Sequence, residues 1–167
     1  LNSLFREHKN LPLVAENLGF ITRAVEALRE EFRLPGMVVL QFAFDGNADN
    51  PHLPHAYDPH SVVYTGTHDN DTSLGWYQQQ PESVRTRLIE YCHQSQEPMP
   101  QLLVQLALSS VARLAIIPFQ DLLGLGSEQR MNRPGTEDGN WRWRFVWPQV
   151  PPSLNESIHH WLTLYGR

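Results

Sequence analysis

The sequence contains a single cysteine, no cluster of basic residues and no long apolar run, and each shortage argues against a class of protein. The lone thiol of Cys92 cannot form an internal disulfide, so we expect a reducing, cytoplasmic location. No apolar run approaches the ~20 residues that a membrane-spanning helix needs. Because the net charge is -5 and phosphates are bound by clustered Lys and Arg, we expect neither nucleic acid nor a membrane as a partner.

What the sequence does contain is enough for one folded unit over residues 1–167. The hydrophobic fraction of 41% is that of a globular protein, and 167 residues can bury a core. The chain begins at Leu1, without a methionine, in a segment that resembles the end of a helix. This start favours a fragment of a longer protein.

Four short apolar segments predict buried strands of a parallel sheet, because each is continuous and lacks the alternation of a half-buried strand. They are residues 11–15, 37–44, 61–64 and 114–119.

Apolar residues at helical spacing occur in three regions, residues 24–32, 84–107 and 154–165. Ser153 and Glu156 predict a capping box at the start of the last helix, and Gly166 follows its end. Strands that alternate with helices predict an α/β fold.

Acidic residues follow three of the predicted strands. Glu16 comes directly after the first, Asp45 after the second, and the cluster HDND, residues 68–71, after the third. Because the carboxyl ends of parallel strands meet at one face, we expect these side chains to converge. Convergent carboxylates serve glycosyl transfer, in which one group donates a proton and others stabilise a cationic sugar. They also bind divalent metals.

Two other interpretations of the HDND cluster stay open from the residues alone. One is a metal-dependent hydrolase that uses His68, Asp69 and Asp71, although the spacing matches no zinc signature and no cysteine pair supports one. The other is a polar turn whose side chains satisfy backbone groups.

Five longer segments carry a more specific signal. They are LPLVAENLG (11–19), LPGMVVLQFAFDG (34–46), NPHLPHAY (50–57), VVYTGTHDNDTSLGWY (62–77) and RLAIIPFQDLLGLGSEQRMNRPGTEDGNWRWR (113–144). In this order they resemble the 4-α-glucanotransferases of glycoside hydrolase family 77, also called amylomaltases or disproportionating enzymes. The resemblance implies the later half, about four strands, of a (β/α)8 barrel. It also implies transfer of α-1,4-glucan segments between maltooligosaccharides or glycogen- and amylose-type glucans, without a metal or organic cofactor.

The resemblance implies roles for five residues in a retaining double displacement. Glu16 matches the family's acid/base, and Asp69 matches its transition-state-stabilising aspartate. His68 matches a histidine that binds the sugar at the cleaved bond. Phe42 matches an aromatic residue on the acceptor side, and Asn132 matches a loop residue near bound glucan.

The chain departs from the family pattern in two places. Asn17 stands where the family has an aspartate, and no word resembling RIDHF, which carries the family's nucleophilic aspartate, occurs. We therefore expect the N-terminal half of the barrel, with the nucleophile and a substrate arginine, to be missing. The missing half is then the expected partner of this chain. Alone, the chain should be inactive, or a non-catalytic glucan-binding fragment.

Overall fold

Three parallel strands lie at the centre of the structure, a computed structural model that describes residues 1–7 and 11–167. The strands are β1 (Gly36–Val39), β2 (Ser61–Tyr64) and β3 (Leu114–Ile116), in the order β1-β2-β3. In this register Val38 lies beside Val63, and Val63 lies beside Ala115. The predicted α/β class is confirmed, with three strands in place of four.

Helices flank the sheet and connect its strands. They are α1 (Asn2–Glu7), α2 (Arg23–Glu31), α3 (Ser73–Gln79), α4 (Glu82–Tyr91), α5 (Gln101–Ser109), α6 (Phe119–Leu122) and α7 (Pro152–Tyr165). The crossover from β2 to β3 contains α3, α4 and α5, as a parallel pair requires. The connection from β1 to β2 contains two short 3-10 helices, Leu40–Phe42 and Pro54–Ala56, within irregular chain. No helix of the described residues is both long and apolar enough to cross a bilayer.

The prediction of a strand at residues 11–15 is wrong, although this segment does lie along the outer edge of β1. The backbone N–H of Ala15 donates to the carbonyl of Pro35 at 2.9 Å. The N–H of Met37 is then satisfied by the side-chain Oδ1 of Asn17 at 2.7 Å. A side chain thus replaces the next backbone bond, so no regular ladder forms. The departure from the family pattern at position 17 keeps an acceptor for Met37.

The other two long predicted strands are shorter than expected. The strand predicted at 37–44 ends at Val39, because the chain turns into the 3-10 helix Leu40–Phe42. The strand predicted at 114–119 ends at Ile116, two residues before Pro118 at the start of α6. Proline has no N–H to continue a ladder. A continuous run of apolar residues predicts that a segment is buried, but it does not predict at which residue the strand ends.

The capping box predicted at Ser153 is also wrong. Helix α7 already begins at Pro152, so Ser153 lies inside its first turn, and the cap residue is Pro151. Proline suits the first helical position, occupied by Pro152, because the N–H it lacks would have no partner within the helix. The predicted end is confirmed, since Gly166 closes the helix in the left-handed region at φ 69°.

The hydrophobic core lies on one side of the sheet, between the strands, α4 and α5. Its fully buried members include Phe44, Leu88 and Leu103. Burying a side chain of this size stabilises the fold by roughly 1.5–3 kcal/mol. The core thus holds the sheet against the helices and fixes the ends of the strands, where the polar residues lie.

Apolar side chains at the other side of the sheet and on α2 remain exposed in the described structure. Leu114 and Ile116 of β3 are 49% and 40% exposed, and Val25 and Leu28 of α2 are 50% and 45% exposed. Among residues 1–7 and 11–167, β3 has no strand on its outer edge. Parallel sheets are normally covered on both faces, so this arrangement is that of a sheet with one side unfilled.

Candidate active site

A cavity of about 1280 Å³ opens where the strands end. The side chains predicted to converge line it from three segments, and they are Glu16, Asp45, His68, Asp69 and Asp71. Phe42, which the family resemblance implies for the acceptor side, lines it as well. Residues from the uncovered side of the sheet, among them Met37, Tyr64 and Ile116, form part of the wall. A pocket with apolar walls and a few convergent polar groups is the usual form of a ligand site.

The loop after β2 presents His68 and Asp69 at its tip. Asn70 Oδ1 accepts hydrogen bonds from the N–H and the hydroxyl of Thr67 at 2.9 and 2.8 Å, which closes a tight polar turn. Gly66 is required at its start, because a Cβ there would collide with the side chain of Gln41. The side chains of His68 and Asp69 are 53% and 52% exposed. The cluster is therefore a polar turn that also brings the side chains of His68 and Asp69 to the cavity.

Asp69 is held by the chain after α6. Its Oδ1 accepts from the amide of Asn132 at 2.6 Å and lies 3.4 Å from His68 Nε2. Its carbonyl accepts from Arg130 Nη2 at 2.8 Å, and Arg130 Nε donates to the carbonyl of Asn132 at 2.9 Å. Asn132 thus contacts the carboxylate directly, and Arg130 joins the two loops. Arg130 was not predicted from the sequence, where its only signal is its position two residues before Asn132.

Asp71 has a structural use, unlike Asp69. Its Oδ2 accepts from Ser127 Oγ at 2.7 Å and from Gln79 Nε2 at 2.9 Å, and its Oδ1 accepts from the N–H of Thr72 at 2.8 Å. These bonds tie the end of the loop to α3 and to residue 127. Within residues 1–7 and 11–167, no three His, Cys, Asp or Glu side chains are grouped as metal ligands. His68, Asp69 and Asp71 therefore do not form the ligand group that the metal-hydrolase interpretation requires.

Glu16 enters the cavity from the segment beside β1. Its carboxylate is exposed, and the next residue, Asn17, is anchored on Met37 as described above. Burial raises the pKa of Tyr64, and the negative charge of Glu16 adds a smaller upward effect. This electrostatic effect on Tyr64, the last residue of β2, places the Glu16 carboxylate near the end of that strand. The sheet edge therefore positions Glu16 through its neighbour.

Phe42 and His52 form another part of the cavity wall. Phe42 is 42% exposed and packs edge-on against His52, with ring centroids 5.4 Å apart. His52 Nδ1 accepts a hydrogen bond from the N–H of Val39 at 3.0 Å, which makes it the unprotonated nitrogen of a neutral ring. Asn50 donates to the carbonyl of Phe42 at 2.8 Å. This network holds the Phe42 ring at the cavity mouth.

His52 makes the stability of this wall depend on pH. Burial lowers the pKa of His52 below 6.5, against a smaller opposite effect of the Asp45 charge. As the pH falls through 6.5, the unfolded chain takes up a proton here and the folded chain does not. The stability contributed by neutral His52 is therefore present above pH 6.5 and decreases as the pH falls toward the lowered pKa.

We therefore expect His52→Gln to lose less stability than the unchanged chain on acidification. The glutamine keeps an acceptor for Val39 but cannot take up a proton. The measurement is urea unfolding between about pH 7.5 and 5.5. His159→Gln, on the exposed side of α7, is the matched control and should keep the original pH dependence. Equal losses in all three proteins would contradict the assignment.

Aromatic side chains of the 141–147 segment complete the site. Trp141 lies over His68, with ring centroids 4.9 Å apart, and Trp143 also lines the cavity. Phe145 packs on Phe119 at 4.5 Å, and Trp147 packs edge-on against Phe145 at 5.4 Å. In the structure Trp141 is 55% exposed and is part of the site.

Comparison with known proteins identifies the family of the chain. A profile described as 4-alpha-glucanotransferase matches residues 1–148.

The chain belongs to the 4-alpha-glucanotransferase family.

Curated family members from distant organisms are similar over nearly the whole chain. Identity is 52% over 163 residues with the 4-alpha-glucanotransferase of Synechocystis, covering 95% of this chain and 32% of that protein. It is 51% over 150 residues with the Thermus thermophilus protein, covering 85% and 30%. The chain thus spans about a third of the length of the family members it matches.

A solved family structure has the same backbone course. Amylomaltase from Streptococcus agalactiae, determined in complex with acarbose, matches with a TM-score of 0.95 at 29% identity. The match covers 99% of this chain and 34% of the amylomaltase chain. The backbone of this chain therefore matches that of a segment, about a third, of a larger family structure.

Proposed function

We propose that this chain is the later part of a 4-α-glucanotransferase that transfers α-1,4-glucan segments between maltooligosaccharides or longer amylose- and glycogen-type glucans. The supporting observation is that Glu16, Phe42, His68 and Asp69 line one cavity in a chain that belongs to the family. A wide, partly apolar cavity suits a sugar chain, whose faces are apolar and whose edges carry hydroxyls.

Glu16 acts as the acid and then as the base of a double displacement. In the first step it gives its proton to the glycosidic oxygen, the C1–O bond breaks, and the donor glucan becomes attached to a nucleophilic carboxylate. In the second step Glu16 takes the proton of the acceptor's 4-hydroxyl, whose oxygen displaces the carboxylate from C1. The configuration is retained because two inversions occur.

Asp69 and His68 bind the sugar whose bond is cleaved. The Asp69 carboxylate accepts hydrogen bonds from sugar hydroxyls and opposes the positive charge that develops on the ring. Asn132, 2.6 Å from Asp69 Oδ1, holds that carboxylate in place and faces the glucan from the 126–133 loop. His68 donates to a hydroxyl, and Trp141 keeps its ring oriented.

Phe42 lies on the acceptor side of the bond. A half-exposed ring at the mouth of the cavity offers an apolar surface to the face of an incoming sugar. Occupancy of that surface by sugar also excludes water from the intermediate. Because water is excluded, transfer to the acceptor sugar exceeds hydrolysis. The proton transfers are carried by Glu16 and need no metal or organic cofactor.

The nucleophile is supplied by the part of the family protein that this chain does not span. A retaining enzyme needs its two carboxyl groups about 5–5.5 Å apart, so the supplying element must reach Glu16. The outer edge of β3 and the exposed Leu114 and Ile116 suit docking of further parallel strands, which would close a (β/α)8 barrel. The lone, half-buried Cys92 is compatible with a reducing, cytoplasmic location.

Disproportionation of maltotriose tests the proposal in four samples. They are this chain, the preceding part of the Synechocystis relative, a mixture of the two, and a hybrid enzyme in which this chain replaces the matching 163-residue segment of that relative. We expect glucose and longer maltodextrins from the hybrid enzyme and from the mixture, and no product from either part alone. Chelator treatment of the hybrid enzyme should leave its activity unchanged.

Other outcomes would point elsewhere. Turnover by this chain alone would mean that it contains a nucleophile, and the assigned roles would be wrong. Binding of acarbose without product in the hybrid enzyme would favour a non-catalytic glucan-binding fragment. Loss of activity on chelation, restored by a divalent metal, would favour the metal-hydrolase interpretation.

A further inference from the structure

A buried carboxylate lies behind the loop that presents His68 and Asp69. Asp121, in α6, is 1% exposed. It accepts three hydrogen bonds, from Thr65 Oγ1 at 2.5 Å, from the N–H of Ser73 at 2.7 Å and from Ser73 Oγ at 2.6 Å. None of the reaction steps above uses it.

The two residues that Asp121 binds are the two ends of that loop. Thr65 directly follows β2, and Ser73 is the first residue of α3, so residues 66–72 lie between them. One carboxylate therefore sets the distance between the point where the loop leaves the sheet and the point where it enters the helix. Because α6 follows β3, the carboxylate also ties this loop to the neighbouring strand.

Stability alone is a poor explanation for this group. A buried carboxylate costs desolvation free energy, and an apolar group of the same volume is often no less stable. Burial raises the pKa of Asp121, the bonds from Ser73 and Thr65 oppose that effect, and the charge of Asp71 adds to it. What the carboxylate offers that an apolar group does not is three directed bonds to the two loop ends.

We propose that Asp121 is a positioning residue, which sets the 66–72 loop so that Asp69 and His68 face the bond being cleaved. The inference rests on the proposed glucan transfer. Gln41 and Arg130 also bind the loop. The N–H of Gln41 donates to the carbonyl of Thr65 at 3.3 Å and its side-chain amide donates to the carbonyl of Asp71, while Arg130 donates to the carbonyl of Asp69. Asp121 differs in binding the first residue of α3 as well as Thr65, so its loss frees the start of this helix relative to β2. A displacement of about 1 Å at a reacting group can cost about 100-fold in rate.

Four substitutions in the hybrid enzyme test the proposal. Asp121→Leu removes all three bonds and should lower kcat about 100-fold. Ser73→Ala and Thr65→Val each remove one hydroxyl and should lower kcat about 10-fold, with KM changed less than about threefold. Asp121→Asn should restore kcat to within about threefold, because its amide oxygen accepts from the Ser73 N–H and its NH₂ donates to both hydroxyls.

Ser61→Ala is the matched control for Ser73→Ala. Ser61 lies at the opposite end of β2, is 4% exposed, and donates through its hydroxyl to the carbonyl of Asp58 at 2.6 Å. Its loss should lower the midpoint of thermal unfolding as much as the loss of the Ser73 hydroxyl does, but leave kcat unchanged. Equal midpoints with unequal kcat would support positioning. Equal midpoints with equal kcat would overturn it.

Amide hydrogen exchange separates this inference from the proposed function. We expect exchange within residues 66–72 to become faster in Ser73→Ala and Asp121→Leu, and to stay unchanged in Ser61→Ala and Asp121→Asn. If the unchanged hybrid enzyme forms no product, glucan transfer is wrong, and the exchange pattern still decides whether Asp121 holds the loop. Unaltered exchange in Ser73→Ala would refute the positioning role even if turnover is seen.

Discussion

Glu16→Gln in the hybrid enzyme is expected to lower kcat for maltotriose disproportionation about 10³–10⁴-fold, since it removes both general acid and general base catalysis. Glutamine keeps the size of the side chain and occupies the same place beside Asn17. It can neither give a proton to the leaving oxygen nor take one from the acceptor. Binding of maltotriose should change little, so the loss should fall on kcat and leave KM nearly as it was.

Substrates that need no proton transfer provide the decisive measurement for Glu16. A dinitrophenyl maltoside has a leaving group that departs as an anion, and azide attacks as an anion. With this pair, Glu16→Gln should regain most of the original rate and form a glycosyl azide. Glu82→Gln, an exposed glutamate in the first turn of α4, is the control and should behave as the unchanged enzyme. Failure of the rescue would show that Glu16 carries no proton.

Asp69→Asn is expected to lower kcat about 10²–10³-fold, because the developing positive charge loses its opposing carboxylate. Asparagine keeps one acceptor at the site of Asp69 Oδ1, where the amide of Asn132 donates at 2.6 Å, so the loop should retain its shape. The defect is electrostatic, and so neither the dinitrophenyl donor nor azide should rescue it. That difference separates the role of Asp69 from that of Glu16.

The control for Asp69 is an aspartate at the opposite end of the same strand. Asp58 is exposed, and its Oδ1 accepts from the N–H of His60 at 2.7 Å, before β2 begins. Asp58→Asn should leave kcat and the rescue profile unchanged. A comparable loss in Asp58→Asn would show that the effect of Asp69→Asn comes from general damage to β2, and a rescue of Asp69→Asn by azide would assign it a proton-transfer role.

Local pattern was enough to predict which residues meet. Glu16, Asp45 and the 68–71 cluster each follow an apolar segment, and parallel strands bring the residues after them to one edge. The cavity lining has these groups together, and the family membership agrees with the resemblance read from the same segments. The assigned roles of Glu16, Phe42, His68, Asp69 and Asn132 remain predictions until the substitutions are made.

Three predicted element boundaries differ from the structure, one because of a distant side chain and two because of the local backbone. The segment at 11–15 has a strand's composition, but Asn17 takes the N–H of Met37 that a ladder would use. Apolar character continues past Val39, but the chain turns there into a 3-10 helix. Ser153 has the composition of a cap, but Pro151 starts the helix earlier. The bond between Asn17 and Met37 joins residues 20 apart, so the composition of either segment does not record it.

The amino-acid sequence by itself determined the α/β class, the family and the strand ends from which the site is built, because hydrophobic period and local motif are properties of neighbouring residues. The tertiary structure was needed to show how each acidic group is held. Asp69 and Asp71 are two residues apart and both line the cavity, yet Asn132 binds the carboxylate of Asp69, whereas Ser127 and Gln79 bind that of Asp71. Asp121 lies 48 residues from Ser73 and still fixes the loop end. Residues so far apart along the chain can form a hydrogen bond only when the core has brought α6 beside β2. No local sequence pattern predicts such a bond.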